Sequence, residues 1–286
     1  MHRVRIVTQT SRKLVMQNCP PRRQDTHKGD YGKILLLCGA EGYTGAPSLA
    51  AKAALCSGAG LIFVGVPRSV YPIVASKLEA PMVFPLPDLD GKLSVEALPA
   101  ILQQLEQADA CLIGPGLGRS EELDKLLPEI IKNCKCPLVL DADGINAMAA
   151  HKDVLRGRTC PLVMTPHEGE FRRLTQWKKA DRISGAEQLA KDLNAVVLRK
   201  GHETIITDGY KTYVNRTGNA GMATGGSGDV LAGILTALLG QGVAPLEAAA
   251  TAAWLHGTAG DLAAAYLGQY ALGPCDLLEE LPRLLP

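Results

Sequence analysis

Ile34-Leu-Leu-Leu-Cys38 runs straight into Gly39-Ala-Glu-Gly-Tyr-Thr-Gly-Ala46, and an Ala-rich segment of helical character, Ala46 to Ser57, follows. An unbroken apolar run, without polar residues in alternation, marks a strand buried on both faces. The glycine-rich turn then carries the chain back as a helix. The unit recurs. Leu61 to Val66, Cys111 to Ile113, Leu138 to Leu140, Leu162 to Met164, Val196 to Leu198 and Thr204 to Ile206 are further short apolar runs. Helical stretches such as Glu121 to Asn133 and Glu187 to Leu193 lie between them. This alternation predicts an α/β fold, with a largely parallel central sheet flanked by helices on both faces.

The last third changes character. Thr204 to Ile206 and Thr212 to Val214 read as a hairpin around Asp208-Gly209. Asp229 to Leu239 and Leu246 to Tyr266 read as two long Ala- and Leu-rich helices, and Pro282 to Pro286 as a loose end. Neither a linker nor a fixed-period repeat interrupts the chain. Residues 25–286 are therefore expected to form a single domain behind a basic N-terminal arm, residues 1–24. That arm carries Arg3, Arg5, Arg12, Lys13, Arg22 and Arg23 with no acid before Asp25. It lacks the Ser-rich character of a transit peptide and the apolar centre of a secretion signal.

Composition excludes several function classes. Lys and Arg number 30 against 29 Asp and Glu, a net charge of +1, so there is no electrostatic footprint for nucleic acid or an anionic membrane. Aromatics make up 4% of the chain, too few for a base-stacking surface. Hydrophobic residues reach 47%, which excludes disorder and predicts a core of Ala, Leu, Val, Ile and Gly. No apolar run approaches the roughly 18 to 20 residues of a membrane span. Of eight cysteines, only Cys134 and Cys136 are close, and their spacing is not that of a zinc finger. Several others sit in apolar runs, as reduced thiols do in a cytoplasmic protein.

In an open α/β sheet, ligands bind beyond the carboxyl ends of the strands. The strongest local signal is Asn219-Ala-Gly-Met-Ala-Thr-Gly-Gly-Ser-Gly-Asp229, set against the helical period of Val230 to Leu239. A capped helix needs one glycine. Gly225, Gly226 and Gly228, with Thr224 and Ser227, are more than a cap requires and predict backbone amides converging on an anion. Asp229 stands at the mouth, about where an acidic capping residue would be. The loop is neither a Walker A sequence nor a Gly-x-Gly-x-x-Gly fingerprint, because Gly226-Ser-Gly228-Asp-Val-Leu231 ends in Leu.

A second signal, Thr165-Pro-His-Glu-Gly-Glu170, directly follows Leu162 to Met164. Glu168 and Glu170 fall in a first helical turn, which favours acids. A His at a helix start is by default a cap, but its place after a buried strand makes His167 a site candidate. Gly114-Pro-Gly-Leu-Gly118, Asp141-Ala-Asp143 and Lys200-Gly-His-Glu-Thr204 occupy equivalent places, whereas His256 reads as packing between helices.

Together with His27-Lys-Gly-Asp-Tyr-Gly32, Gly45-Ala46 and His256-Gly-Thr-Ala-Gly-Asp261, these segments resemble the nucleotide-dependent NAD(P)H-hydrate dehydratases, a branch of the ribokinase-like fold, across about residues 20 to 270. The resemblance implies dehydration of the S epimer of hydrated NADH or NADPH, with ADP or ATP as co-substrate and AMP or ADP plus phosphate released. It implies Asp229 as the base for a substrate hydroxyl and Ala46, Gly116, Gly118, His167 and Asp229 as hydrate contacts. Lys200, Gly201, His202, Glu203, Thr204, Asn219, Thr224, Gly225, Gly226, Ser227 and Gly228 would hold the nucleotide, and Glu170 would organise Mg²⁺ indirectly. It further implies a cytoplasmic homotetramer, with the hydrate epimerase as a separate protein. Two alternatives share the cleft. An ordinary ribokinase-like kinase of a vitamin precursor or sugar alcohol carries Asn where His167 stands, and a non-catalytic nucleotide sensor has no need of Asp229.

Overall fold

Neighbouring residues of each buried strand enter opposite cores. Ile34 and Leu36 pack in one apolar cluster, Leu35 and Leu37 in the other. Leu112, Val139, Val163 and Leu198 follow the first pair; Cys111, Ile113, Leu138, Leu140, Leu162, Met164 and Val197 follow the second. A strand apolar at every position can stand only between two layers of helix, so the sheet must be covered on both sides.

The structure, a computed structural model, describes residues 7–175, 177 and 181–286. In chain order the strands are β1 (Val7–Gln9), β2 (Lys33–Leu37), β3 (Leu61–Pro67), β4 (Met82–Leu86), β5 (Asp88–Leu89), β6 (Lys92–Leu93), β7 (Ala110–Ile113), β8 (Leu138–Leu140), β9 (Leu162–Met164), β10 (Val196–Arg199), β11 (Thr204–Thr207) and β12 (Thr212–Asn215). β5 and β6 form a small ribbon; the others make one sheet in the order β1-β12-β11-β10-β9-β8-β7-β2-β3-β4. Pairing is parallel except where β11 runs antiparallel to β10 and β12.

The helices are α1 (Arg12–Asn18), α2 (Gly45–Cys56), α3 (Tyr71–Ala75), α4 (Leu98–Leu105), α5 (Glu121–Asn133), α6 (Ala142–Met148), α7 (Lys152–Gly157), α8 (Glu168–Leu174), α9 (Arg182–Leu193), α10 (Ser227–Gly240), α11 (Pro245–Leu267) and α12 (Pro274–Leu284). α1, α2, α10, α11 and α12 supply the first core, while α4 to α9 supply the second. α10 is apolar on all sides from Val230 to Leu239 and correspondingly buried throughout. Its amino end reaches the carboxyl edge of the sheet.

Three readings change in three dimensions. The stretch taken as a basic arm contains structure: β1 pairs with β12, and α1 buries Leu14 and Val15 in the first core. Arg3 and Arg5 of that arm lie outside the described residues. The expected loose end begins inside α12, where Leu277 and Leu281 are buried and Leu278 and Leu284 pack beside them. An apolar stripe at helical spacing outweighs the local cost of Pro282. β4 adds an edge strand with no periodic signature of its own. Among the described residues, no helix is long and apolar enough to cross a membrane.

Candidate active site

Loops leaving the carboxyl ends of β2, β7, β8, β9 and β10 meet at one end of the sheet, where an open α/β fold builds its cleft. β8 leads into Asp141, β9 into Thr165 and β10 into Lys200. Their side chains converge: Thr165 Oγ1 donates to Asp141 Oδ1 at 2.7 Å, and Lys200 Nζ donates to the same oxygen at 2.8 Å.

α10 starts beside them. Its N-cap is Gly226, at φ +95°, and a Cβ there would sit 2.6 Å from Leu49 Cδ1, so only glycine fits. Gly225 and Gly228 are glycines for another reason. Neither has a positive φ; a Cβ on Gly225 would meet nothing within 4 Å, and one on Gly228 would lie 3.5 Å from Lys200 Nζ. The backbone does not demand glycine at either position. Their bare Cα atoms leave space over the first amides of α10, with an ammonium at its side, which is the form of an anion cradle. The helix therefore opens earlier than expected, and Asp229 is its third residue rather than its cap.

Charge in the cleft is poised. Burial pushes the Asp229 carboxyl up, Asp141 adds to this, Lys200 opposes it and Asp143 adds again; the balance lies at about 7. Burial also works against the Lys200 ammonium, but Asp141, Glu170 and Asp229 outweigh it and hold Lys200 above the usual lysine range. Burial lifts Glu170 above the ordinary carboxylate range against the pull of Lys200.

His167 is a cap first. Its Nδ1 accepts from the amides of Gly169 at 2.9 Å and Glu170 at 3.3 Å, while Glu170 Oε2 accepts from the His167 amide at 2.8 Å. An accepting Nδ1 places the proton on Nε2, which lies 3.2 Å from Glu170 Oε1 on a ring more than half exposed. Both oxygens of Glu170 thus face His167.

The remaining candidates divide. A Cβ on Gly116 would sit 3.0 Å from Ala46 Cβ and 2.9 Å from Tyr43 Cβ, so Gly116 and Ala46 form one wall. The Gly118 amide donates to Asp143 Oδ2 at 2.8 Å. Thr224 is exposed at the mouth. Ser227 is buried, its carbonyl 2.9 Å and its Oγ 3.1 Å from His256 Nε2; burial pushes His256 down to about 4, so it stays neutral between α10 and α11. Asn219 braces its own loop, accepting from the Gly221 amide and donating to Gly260 O and Asp261 Oδ1, each at 3.0 Å.

Gly201, His202 and Glu203 form the turn between β10 and β11, and Thr204 Oγ1 donates back to Gly201 O at 3.0 Å. That turn is held by a residue the sequence did not flag. Arg182 donates to His202 O at 2.8 Å and to Lys200 O at 3.1 Å. Nothing in the sequence around Arg182 marks it. Arg199 was legible in principle, as the first of two cations ending an apolar run. It is buried against Phe171, 3.8 Å from the ring centroid, and chelates Glu168 through Nη2 at 2.7 and 3.0 Å. His27 to Gly32 lies elsewhere: Gly32 abuts Gly240 at the far end of α10, about 16 Å from Asp229 along the helix.

A sequence profile described as NAD(P)H-hydrate dehydratase matches residues 34–283. The chain belongs to the NAD(P)H-hydrate dehydratase family. The bifunctional NAD(P)H-hydrate repair enzyme Nnr of Moorella thermoacetica is 46% identical over 273 residues, covering 93% of this chain and 51% of that protein. The chain thus spans about half the length of the curated relatives it matches. Among solved structures, the ADP/ATP-dependent NAD(P)H-hydrate dehydratase of Bacillus subtilis, crystallised with ATP and Mg²⁺, superposes with a TM-score of 0.83 at 29% identity, over 97% of both chains. A ribokinase-like superfamily protein of Enterococcus faecalis superposes with a TM-score of 0.86 at 27% identity, over 99% of this chain and 97% of its own. The expected family and the ribokinase-like architecture are both borne out.

Proposed function

We propose that the chain dehydrates the S epimer of hydrated NADH and NADPH, restoring NAD(P)H while ADP or ATP is converted to AMP or ADP plus phosphate. The observation that carries this reading is the juxtaposition of Asp229, a carboxylate poised at about 7, with the amide cradle of Gly225 to Gly228. A base beside a phosphate site is the equipment for phosphorylating a hydroxyl. Asp229 takes the hydroxyl proton of the hydrate, and that oxygen attacks the terminal phosphorus in line, breaking its bond to the nucleotide. Phosphate then leaves carbon, a proton leaves the adjacent ring carbon, and the double bond reforms. A positioned base contributes about 10²–10⁴-fold; alignment and the amides that receive the phosphoryl oxygens supply the rest.

Nucleotide phosphates would lie over the amides of Gly225, Gly226, Ser227 and Gly228 beside Lys200, with Thr224 at the mouth. The turn Gly201 to Thr204 and the loop braced by Asn219 would border the nucleoside. Ala46, Gly116, Gly118 and His167 would line the hydrate's side of Asp229. Asp141, Glu170 and Asp229 surround the Lys200 ammonium with an excess of negative charge, a setting that suits polyphosphate accompanied by a divalent cation. Mg²⁺ would neutralise phosphate charge there, and Glu170, whose two oxygens are held by His167, would organise it only indirectly. Among the described residues no group of three or more His, Cys, Asp or Glu side chains could hold a metal ion. A cytoplasmic homotetramer, working with an epimerase that interconverts the hydrates, completes the proposal.

The deciding assay follows the near-ultraviolet absorbance of reduced nicotinamide after NADH hydrate, Mg²⁺ and ADP or ATP are added. The expected result is absorbance gained in step with phosphate released. A stable phosphorylated hydrate without recovery of NADH would return the chain to the ordinary kinases.

His167 separates the two ligands. His167→Asn keeps the helix cap, since Asn caps well, and removes the imidazole. It is expected to raise KM for the hydrate more than KM for the nucleotide. The reverse ordering would assign His167 to the phosphoryl donor.

A further inference from the structure

One side chain grips the backbone of the turn between β10 and β11. Arg182, the first residue of α9, donates through Nη2 to Lys200 O at 3.1 Å and through Nη1 to His202 O at 2.8 Å, with Glu203 O at 3.4 Å from the same Nη1. A guanidinium holds its donors in one rigid plane, so it can gather several carbonyls at once where an ammonium meets them as a point charge. Arg182 is itself fixed at the backbone. Asp181 caps α9, accepting from the amides of Ile183 at 3.0 Å and Ser184 at 3.1 Å, and Arg182 O accepts from Arg199 Nη1 at 3.0 Å. Arg199 is buried and chelates Glu168, the neighbour of His167.

The turn is shaped to this grip. Gly201 stands at φ +146° and Glu203 at φ +55°, backbone that side chains seldom adopt unless their surroundings hold them there. A Cβ on Gly201 would lie 2.8 Å from Arg182 Nη2, so the guanidinium takes the space a side chain would need. Lys200 is anchored from other directions as well, its amide donating to Pro166 O at 2.8 Å and its Nζ to Asp141 Oδ1. A trans peptide unit is planar, and its N–H points opposite to its carbonyl; among the described residues no peptide is cis. With Lys200 O and His202 O drawn to Arg182, the amides of Gly201 and Glu203 must point away from it. Both residues are exposed, and neither amide has a hydrogen-bond partner among the described residues. Two unpaired amides on one such turn are a donor pair for an acceptor-rich ligand.

We propose that Arg182 is a positioning residue for the nucleotide: by drawing the carbonyls of Lys200 and His202 to itself, it presents the Gly201 and Glu203 amides as paired donors to acceptor atoms of ADP or ATP. The inference rests on the reading that this turn borders the nucleotide. Arg182 acts through the turn and needs no contact with either ligand. Its removal falls on nucleotide affinity, because Asp229, His167 and the amide cradle of α10 are held by other bonds.

Two measurements on the full chain test this. In the first, amide hydrogen–deuterium exchange of the parent protein is followed in peptides spanning Gly201 to Thr204 and Gly225 to Gly228, with and without ADP and Mg²⁺. The turn should exchange fast in the free protein, as unpaired exposed amides do, and both segments should slow when ADP is added. Protection at Gly225 to Gly228 alone would overturn the role of Arg182 while nucleotide binding stands; protection at neither would overturn both. The second measurement is kinetic. Arg182→Met keeps the apolar stem and loses the donors, and should raise KM for the nucleotide by about tenfold or more, the order of a lost charge-assisted hydrogen bond. At saturating nucleotide, kcat and the KM for the hydrate should stay within about twofold of the parent. Arg182→Lys keeps the charge without the planar fork and should behave like Arg182→Met. Full recovery in Arg182→Lys would assign the effect to charge alone, and a fall in kcat with an unchanged nucleotide KM would place Arg182 in the chemistry; either overturns the proposal. The exchange measurement decides the matter even if Arg182→Met does not fold.

Discussion

Asp229→Asn is expected to slow hydrate turnover by about 10²–10⁴-fold, the worth of a positioned base, and to make the protein more stable at alkaline pH. The two effects share one cause. Asp229 is buried, with Asp141 and Asp143 nearby, and its carboxyl titrates at about 7 instead of the ordinary 3.8. The native state therefore binds this proton more tightly than the unfolded chain does. That stability is fully present below the ordinary value and drains away as pH rises to about 7, amounting to about 4 kcal/mol. Asn keeps the shape and carries no charge to desolvate. Because α10 is capped at Gly226, the exchange removes no cap. Thermal melts of parent and variant should coincide below the ordinary carboxylate value of 3.8, diverge progressively up to about 7 and stay apart above it, with the variant higher. Parent turnover should rise with pH through about 7, since only the ionised form accepts a proton, and residual turnover in the variant should lose that step. Near-normal turnover in Asp229→Asn would end the proposed mechanism, and a lower melting point at alkaline pH would contradict the buried-charge argument.

Gly228→Val is expected to abolish nucleotide binding while the fold survives. Gly228 is the second residue of α10 and its φ is not in the left-handed region, so a side chain is sterically permitted there. The first atom added would stand 3.5 Å from Lys200 Nζ and 4.0 Å from Asp141 Oδ2, ordinary contact distances. The cost to the helix itself is small, since Val and Gly both have modest helix propensity. The effect falls on the space above the helix amides. Two methyl groups there displace the phosphate oxygens and separate them from the Lys200 ammonium, removing the charge-assisted hydrogen bonds that a helix amino end offers an anion. Calorimetric titration with ADP or ATP should detect no binding, while melting stays near that of the parent. Unchanged affinity would mean that phosphate does not sit at this helix.

The alternation of apolar runs with helices was enough to read the layered architecture, because a strand without polar positions has only one kind of environment open to it. The hairpin of β11 and β12 was equally legible from Asp208-Gly209, now the turn in which the Asp208 carboxylate accepts from the amides of Tyr210 and Lys211, each at 2.8 Å. β1 and α1 were not. Three residues of strand and two buried apolar side chains form no period, and they are ordered by β12 and α11, which arrive some two hundred residues later in the chain.

The site divides along the same line. Glycine clustering before an apolar helix, acids in a first turn and polar residues at the ends of buried runs are local patterns, and by themselves they singled out Asp229, His167 and the loop Thr224 to Gly228 as candidates. Only tertiary structure decided which side chains meet. Thr165, Asp141 and Lys200 end three adjacent parallel strands, and their shared hydrogen bonds exist because those strands are in register. Arg182 reaches the turn at Lys200 from a helix, an approach that no local pattern announces. Sequence carries the chemistry of each residue and the period of each element; charge balance and contact depend on distance, which only the packed sheet supplies.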